Sequence, residues 1–166
     1  MPIPPFVTAL RRRVGHDLLW LPGVTAVVVR GADAGPEVLL VRRADNGSWT
    51  PVTGIVDPGE DPHVTAVREV LEEASVVAEV ERLVWVAAGD VVTHPNGDRA
   101  QYLDHTFRCA WVSGEPVPGD DECTDAGWFA PHALPQMPER HRVRVEWALA
   151  DEPGVRLGSG DVAARR

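Results

Sequence analysis

The segment from Gly54 to Val76 constrains the fold of this chain more than any other stretch, and it reads GIVDPGEDPHVTAVREVLEEASV. Asp61 is placed to cap a helix, and Pro62 fits the first turn, where the missing N–H of proline costs nothing. A rotation of about 100° per residue collects the apolar residues into a single arc. These residues are Val64, Val67, Val70, Leu71 and Ala74. We therefore predict an amphipathic helix with an apolar back.

Three carboxylates fall on the opposite side of this helix, because residues three and four apart are neighbours on a helix surface. They belong to Glu69, Glu72 and Glu73. Like charges at this spacing destabilise a helix by roughly 0.2–0.5 kcal/mol per pair and raise one another's pKa values. Arg68 can neutralise Glu72, and a divalent cation would neutralise the rest, since hard cations prefer oxygen ligands. The alternative is an acidic helix face that only contacts solvent.

The complete pattern resembles the Nudix box, the signature of the Nudix hydrolase family. Glu60 follows Gly54 after five residues, and the run from Arg68 to Val76 follows after seven more. This chain departs from the family pattern in two places. Ser75 takes the position of a box glycine, and Val52-Thr53 replaces the proline and glycine that often precede Gly54. Because glycine commonly relieves a left-handed helix C-cap, serine is expected to cost a little stability.

The resemblance also implies which residues hold the cation, which is expected to be Mg²⁺ or Mn²⁺. Glu69 and Glu73 would be its principal ligands, and Glu72 a shared or water-mediated ligand. Arg68 would hold a box carboxylate in place through a charged hydrogen bond. The secondary contacts implied by the resemblance are Glu60 and the carbonyl group of Gly54. The predicted catalytic residues are Glu69, Glu72 and Arg68.

An acidic loop before the Trp128-Phe129 pair also follows the order found in the family. Asp120, Asp121 and Glu122 are candidates for a further metal ligand, with Glu122 preferred. The resemblance implies that the general base is either Glu69 or one of these loop acids. The alternative for the loop is a set of solvated acids without a role in catalysis.

The implied activity is metal-dependent hydrolysis of the pyrophosphate bond in a nucleoside diphosphate linked to another moiety. An ADP-ribose-like compound is the first choice of substrate, and an ordinary or oxidised (d)NTP is the second. A non-catalytic nucleotide-binding module is the alternative from another class, although such a module has no use for three crowded acids. Isopentenyl diphosphate isomerase shares the fold and would need a cysteine placed for catalysis.

Composition excludes several other classes of protein. A chain of 166 residues fits one domain, expected at 1–150 with a helical and strand extension at its start, followed by a flexible tail at 151–166. The net charge of −9 argues against a nucleic-acid backbone as partner. Cys109 and Cys123 form no disulfide or zinc pattern and are expected to be buried, idle thiols. Without a long apolar run or a signal peptide, we expect a cytoplasmic protein with no membrane partner, for which a homodimer is one conceivable assembly.

The remaining segments predict a mixed α/β (α+β) architecture, in which a mixed β-sheet lies between helices as in the Nudix fold. The expected elements are a helix at 6–14, an edge strand at 17–21, an antiparallel pair at 24–30 and 37–43, a hairpin at 77–92 and 100–112, and a helix at 139–150. Alternation in the second hairpin strand turns either Arg108 with Asp104 or His105 with Phe107 towards the core. Four tryptophans are candidates for stacking on a base or for core packing: Trp20, Trp49, Trp85 and Trp111.

Overall fold

A computed structural model describes residues 3–31, 35–119, 121–150 and 152–158 of the chain. Its helices are α1 (Pro5–Val14), α2 (Pro62–Ala74) and α3 (Glu139–Leu149), with a 3₁₀ turn at Pro131–Ala133. Its strands are β1 (Leu19–Arg30), β2 (Glu37–Arg43), β3 (Trp49–Thr50), β4 (Val52–Ile55), β5 (Val77–Ala88), β6 (Val92–Thr93), β7 (Arg99–Ser113), β8 (Cys123–Phe129) and β9 (Arg156–Leu157). All of these strands join one mixed sheet.

The long central strand β1 organises the sheet. It pairs in parallel with β7 along most of its length and antiparallel with β2 and β4. The prediction of a separate edge strand at 17–21 is wrong, because β1 continues through Pro22 and Gly23. Proline lacks a backbone donor, but its carbonyl still accepts a bond from the N–H of Val56 at 3.1 Å, so pairing is not interrupted.

Helices cover both faces of this sheet, which confirms the predicted fold class. One apolar cluster, which includes Val28 and Val70, lies between the sheet and α2. A second cluster, which includes Val27 and Val145, lies between the sheet and α3. A third and smaller cluster joins α1 to the end of the sheet near Ile55, directly beside Gly54. The sheet therefore presents its two strand faces to two separate cores.

The alternation of β7 left open which of its two faces points towards the core, and the two apolar clusters resolve this. Phe107 and Cys109 are buried on the side of α2. On the other side, Asp104 accepts hydrogen bonds from Thr25 at 2.7 Å and Thr106 at 2.8 Å and forms an ion pair with Arg144 at 3.2 Å. Because α3 packs on that side, both strand faces point towards a core. This polar strand face is tolerated because Asp104, Thr25, Thr106 and Arg144 bind one another.

The predicted hairpin of β5 and β7 is confirmed, as are the helix α1 and the antiparallel pair of β1 and β2. The chain reverses at Asn96-Gly97, where Gly97 has a φ of +87° and its N–H donates to the carbonyl of His94 at 2.9 Å. Glycine adopts this left-handed conformation without steric cost. Among the described residues, none of the helices combines the length and apolar character that crossing a membrane requires. Cytoplasmic localisation and a homodimer stay predictions.

The segment 152–158 corrects the prediction that a flexible tail begins at residue 151. Arg156–Leu157 adds a short parallel strand to β5, and the indole N–H of Trp85 donates to the carbonyl of Gly158 at 2.6 Å. The guanidinium of Arg156 also stacks on the ring of Trp147 at 4.0 Å. Two tryptophans thus anchor a segment whose own sequence has little to bury. Residues 151 and 159–166 lie outside the described residues.

Ser75 ends α2 in the left-handed region, with a φ of +56° and a ψ of +27°. A residue with a side chain pays roughly 1–2 kcal/mol for this left-handed conformation, and glycine avoids that cost. Glycine also loses more conformational entropy on folding, which cancels about 0.5–1 kcal/mol of the gain. We therefore expect Ser75→Gly to raise the free energy of unfolding by about 0.5–1 kcal/mol in urea denaturation. Ser113→Gly, at the exposed end of β7, is the control and should lower stability slightly. A destabilised Ser75→Gly variant would contradict the strain argument.

Candidate active site

The helix α2 carries the site, and its orientation differs from the predicted one. Glu69 and Glu73 are only 1% and 5% exposed, whereas Val64 and Leu71 of the predicted apolar arc are 44% and 53% exposed. The helix packs through Thr65, Ala66, Val70 and Ala74, and this face contains the two glutamates. The prediction of an apolar back opposite a carboxylate front is therefore wrong. The glutamates turn inward because β4 and β8 provide partners and space for them.

Arg68 binds three of the box carboxylates at once. It holds both oxygens of Glu60, with Nε to Oε1 at 3.0 Å and Nη2 to Oε2 at 2.9 Å. Its Nη1 also donates to Glu69 at 3.1 Å and to Glu72 at 2.9 Å. The hydroxyl of Thr65 adds a bond to Glu60 at 2.7 Å. These contacts lower the pKa of Glu60 to about 2, chiefly through the hydrogen bond from Arg68. The catalytic role of Arg68 stays a prediction.

Glu69 is buried against the backbone of Gly54 in β4. A Cβ built on Gly54 would lie 2.5 Å from Oε1 of Glu69, which leaves no room for any side chain there. Burial raises the pKa of Glu69 to about 8. Arg68 opposes this shift, and the charges of Glu73 and Glu72 add to it. Because Gly54 has no side chain, the buried carboxylate of Glu69 can lie directly against the backbone of β4.

The acidic loop folds onto the last turn of α2. The N–H of Val117 donates to the carbonyl of Ala74 at 3.1 Å, and the N–H of Gly119 donates to that of Glu73 at 3.0 Å. Within the loop, Asp121 is exposed and Glu122 is half-buried, while Asp120 lies outside the described residues. The loop therefore lies next to the box helix, although no fixed motif marks it in the sequence.

Cys123 and Arg43 are two residues near the site that the sequence analysis did not assign to it. Cys123 is buried as predicted, but it is not isolated, because its Sγ lies 3.7 Å from Oε2 of Glu73. Arg43 pairs with Cys123 across β2 and β8. It binds Asp45 at 2.8 and 3.0 Å, and this hydrogen bonding raises the pKa of Arg43, with smaller contributions from the charges of Glu73 and Cys123. In the sequence, the one signal for Arg43 is its place at the end of the apolar run of β2.

These residues fit a divalent cation by their chemistry. The donors of the box side chains are carboxylate oxygens, which are ligands preferred by Mg²⁺ and Mn²⁺. The buried charge of Glu69 is disfavoured without a cation, as its raised pKa indicates. Within the described ranges, no three side chains of His, Cys, Asp or Glu already converge as a metal cluster. Arg68 instead engages Glu60, Glu69 and Glu72.

The pKa of Glu69 predicts how stability depends on pH. The folded value of about 8 exceeds the ordinary value of 4.5, so the metal-free folded state holds an extra proton between these two pH values. Its stability should therefore fall as pH rises from about 4.5 to about 8, by on the order of a few kcal/mol. Urea denaturation with a chelator should show this slope, and Mg²⁺ or Mn²⁺ should reduce it. The same slope in Glu69→Gln would contradict the assignment to Glu69.

The tryptophans differ in what they offer a ligand. Trp49 lines a cavity of about 630 Å³, together with Arg42, Ser48 and the segment 135–138. Its ring also contacts Phe129 edge-on at 4.9 Å. Trp85 is buried against Trp147 and is a core residue. Trp49 is therefore the tryptophan that combines a fixed ring, a cavity and a place five residues before Gly54.

Trp111 and Trp20 are the two remaining candidates for stacking. Trp111 borders another cavity of about 780 Å³, beside Arg30 and Glu37 at the β1–β2 connection. Trp20 is exposed near the start of β1. The stacking role that the sequence analysis considered for these residues stays a prediction.

Comparison with known proteins places this geometry in a family. The family model described as the NUDIX domain matches residues 20–148. NAD-capped RNA hydrolase NudC from Pseudomonas fluorescens is 31% identical over 128 residues, covering 74% of this chain and 42% of the relative. The same enzyme from Pseudomonas aeruginosa LESB58 is 36% identical over 124 residues, covering 74% and 40%. The chain thus spans about two fifths of the length of these curated relatives.

Solved structures agree with the fold. An ADP-ribose pyrophosphatase from Streptococcus suis has a TM-score of 0.63 at 20% identity, covering 82% of this chain and 98% of that one, and it supports the fold alone. A MutT Nudix hydrolase from Burkholderia pseudomallei has a TM-score of 0.56 at 28% identity, covering 78% and 98%. The family model spans all of the box residues and most of the chain. The chain therefore belongs to the Nudix hydrolase family.

Proposed function

We propose that this chain hydrolyses the pyrophosphate bond of a nucleoside diphosphate linked to another moiety, with Mg²⁺ or Mn²⁺ as cofactor. The observation that carries the proposal is the pair of buried carboxylates, Glu69 and Glu73, on the inner face of the box helix. Burying a carboxylate is costly, so a protein with no need of a cation would gain by replacing both. This argues against a binding module that does not use the metal.

Glu69 and Glu73 would hold the cation directly, with Glu72, Glu122 and the carbonyl of Gly54 as further ligands. A bound divalent ion neutralises diphosphate oxygens and lowers the pKa of a water nucleophile. Arg68 orients Glu69 and Glu72 through its hydrogen bonds at 3.1 and 2.9 Å. The buried position of Glu69 excludes bulk water, which strengthens each electrostatic contact that it makes.

The relatives and the chemistry of the site support the proposed substrate class. The names of the curated relatives state an NAD-capped RNA substrate. NAD and ADP-ribose share an adenosine diphosphate joined to a second ribose, so one class of substrate covers both. The net charge of −9 disfavours an extended nucleic-acid footprint, but a capped RNA end can be held by its diphosphate alone. The absence of a nucleic-acid partner therefore does not follow from charge.

A panel of substrates tests the proposal. NAD, NAD-capped RNA, ADP-ribose, other nucleoside diphosphate conjugates and (d)NTPs would be incubated with Mg²⁺, Mn²⁺ or a chelator, and the nucleotide products quantified. We expect metal-dependent release of AMP or an AMP-ended product from adenosine diphosphate conjugates. Faster turnover of (d)NTPs would favour the second choice of substrate. If no compound in the panel is hydrolysed but a nucleotide raises the melting temperature, the chain is better described as a nucleotide-binding module.

A further inference from the structure

Glu73 differs from the other box carboxylates in how the protein surrounds it. The side chain of Arg68 donates hydrogen bonds to Glu60, Glu69 and Glu72. Glu73 instead has a thiol beside it, with Sγ of Cys123 3.7 Å from Oε2. Both residues are at least 93% buried, so solvent does not screen the contact. The sequence separates them by 50 positions, and only the fold brings them together.

The backbone anchors this contact from both sides. On the side of the helix, the carbonyl of Glu73 accepts a bond from the N–H of Gly119 at 3.0 Å. On the side of the sheet, Cys123 pairs with Arg43, and the carbonyl of Glu122 accepts a bond from the N–H of Ala44 at 2.6 Å. A Cβ on Gly119 would overlap the carbonyl of Glu72, so the loop cannot move closer or accept a larger residue there.

A thiol suits this position chemically. It is neutral and donates a weak hydrogen bond to one carboxylate oxygen. An arginine or lysine in the same place would compete with a cation for the charge of the carboxylate. The thiol can therefore fix the orientation of Glu73 without bringing a positive charge of its own.

We propose that Cys123 is a positioning residue for Glu73, and that its thiol holds this carboxylate in the orientation that binds the divalent cation. The inference rests on the proposed function for the role of the cation. It goes beyond that function by assigning a role to a residue outside the box. It predicts that cation affinity, and not only stability, depends on Cys123.

Direct Mn²⁺ binding tests the inference without any substrate. Free Mn²⁺ would be measured by electron paramagnetic resonance in titrations of the whole chain and three variants. Cys123→Ala removes the donor, and we expect its Mn²⁺ dissociation constant to rise about tenfold, as for other groups that orient a metal ligand. Cys123→Ser restores a donor and should return the constant to within about twofold. Cys109→Ala, a buried thiol on the same side of the sheet, is the matched control and should leave the constant unchanged.

Each outcome of this titration bears on the inference. Unchanged Mn²⁺ affinity in Cys123→Ala would overturn it, and so would an equal loss in Cys109→Ala, which would indicate general packing. A failure of Cys123→Ser to recover affinity would also count against a hydrogen-bonding role. If Cys123→Ala does not fold, Cys123→Val replaces it as the variant without a donor. Because the titration contains no substrate, its result does not depend on whether the chain hydrolyses any compound in the substrate panel.

Discussion

Glutamine at position 69 or 73 should lower turnover by at least about a hundredfold while leaving the chain folded. Each substitution removes one negative charge that would hold the proposed divalent cation, and electrostatic groups of this kind are commonly worth about 10²–10³ in rate. Steady-state rates at saturating metal, with circular dichroism as the folding check, measure the effect. Glu72→Gln should have a smaller effect, because half of the Glu72 side chain is exposed.

The same variants separate catalysis from stability. Glu69→Gln removes a buried charge, so the metal-free variant should be more stable than the parent chain near pH 8. Glu79→Gln, at an exposed position of β5, is the matched control and should alter neither rate nor stability. Full turnover in Glu69→Gln or Glu73→Gln would overturn the assignment of these residues to the metal.

Alanine at position 54 should damage both folding and activity. Its Cβ would lie 2.5 Å from Oε1 of Glu69, so either the buried carboxylate or β4 must move. Overpacking of this kind typically costs about 1–3 kcal/mol, which urea denaturation would detect. Because Glu69 is displaced, we also expect turnover to fall by about a hundredfold or more, comparable to the loss of a key electrostatic group.

A second glycine provides the control for this prediction. A Cβ built on Gly154 would have no heavy atom within 4 Å, so Gly154→Ala should leave both stability and rate near those of the parent chain. Equal behaviour of Gly54→Ala and Gly154→Ala would show that the close approach of Glu69 to the backbone is not needed. If Gly54→Ala lowers the rate but not the stability, α2 shifts to accommodate the new Cβ and only the position of Glu69 is disturbed.

The box residues could be recognised from the chain alone because their order is local. The helix start at Pro62, the end at Ser75 and the neighbouring positions of Arg68 and Glu72 all follow from spacing within one helix. The β5–β7 hairpin followed from Asn96-Gly97 for the same reason, since turn chemistry is decided by adjacent residues. These features needed no knowledge of distant contacts.

The inward face of α2 could not be predicted in this way. Helical periodicity ranks residues by hydropathy, and it assigned Leu71 and Val64 to the core and Glu69 and Glu73 to the opposite face. The fold reversed this order because Gly54 leaves space for one glutamate and Cys123 lies beside the other. Likewise, Trp85 and Trp147 hold the segment 152–158, whose own composition indicates a loose tail.

The sequence by itself determined the family and the helix that carries the box residues. Only the tertiary structure decided that two of the carboxylates are buried, that Arg68 engages three acids, and that a thiol 50 residues away contacts Glu73. The physical reason is that a residue type and its local spacing set what a side chain can do. The cost of burying its charge, which sets the pKa of Glu69, depends on strands that pack around it from elsewhere in the chain.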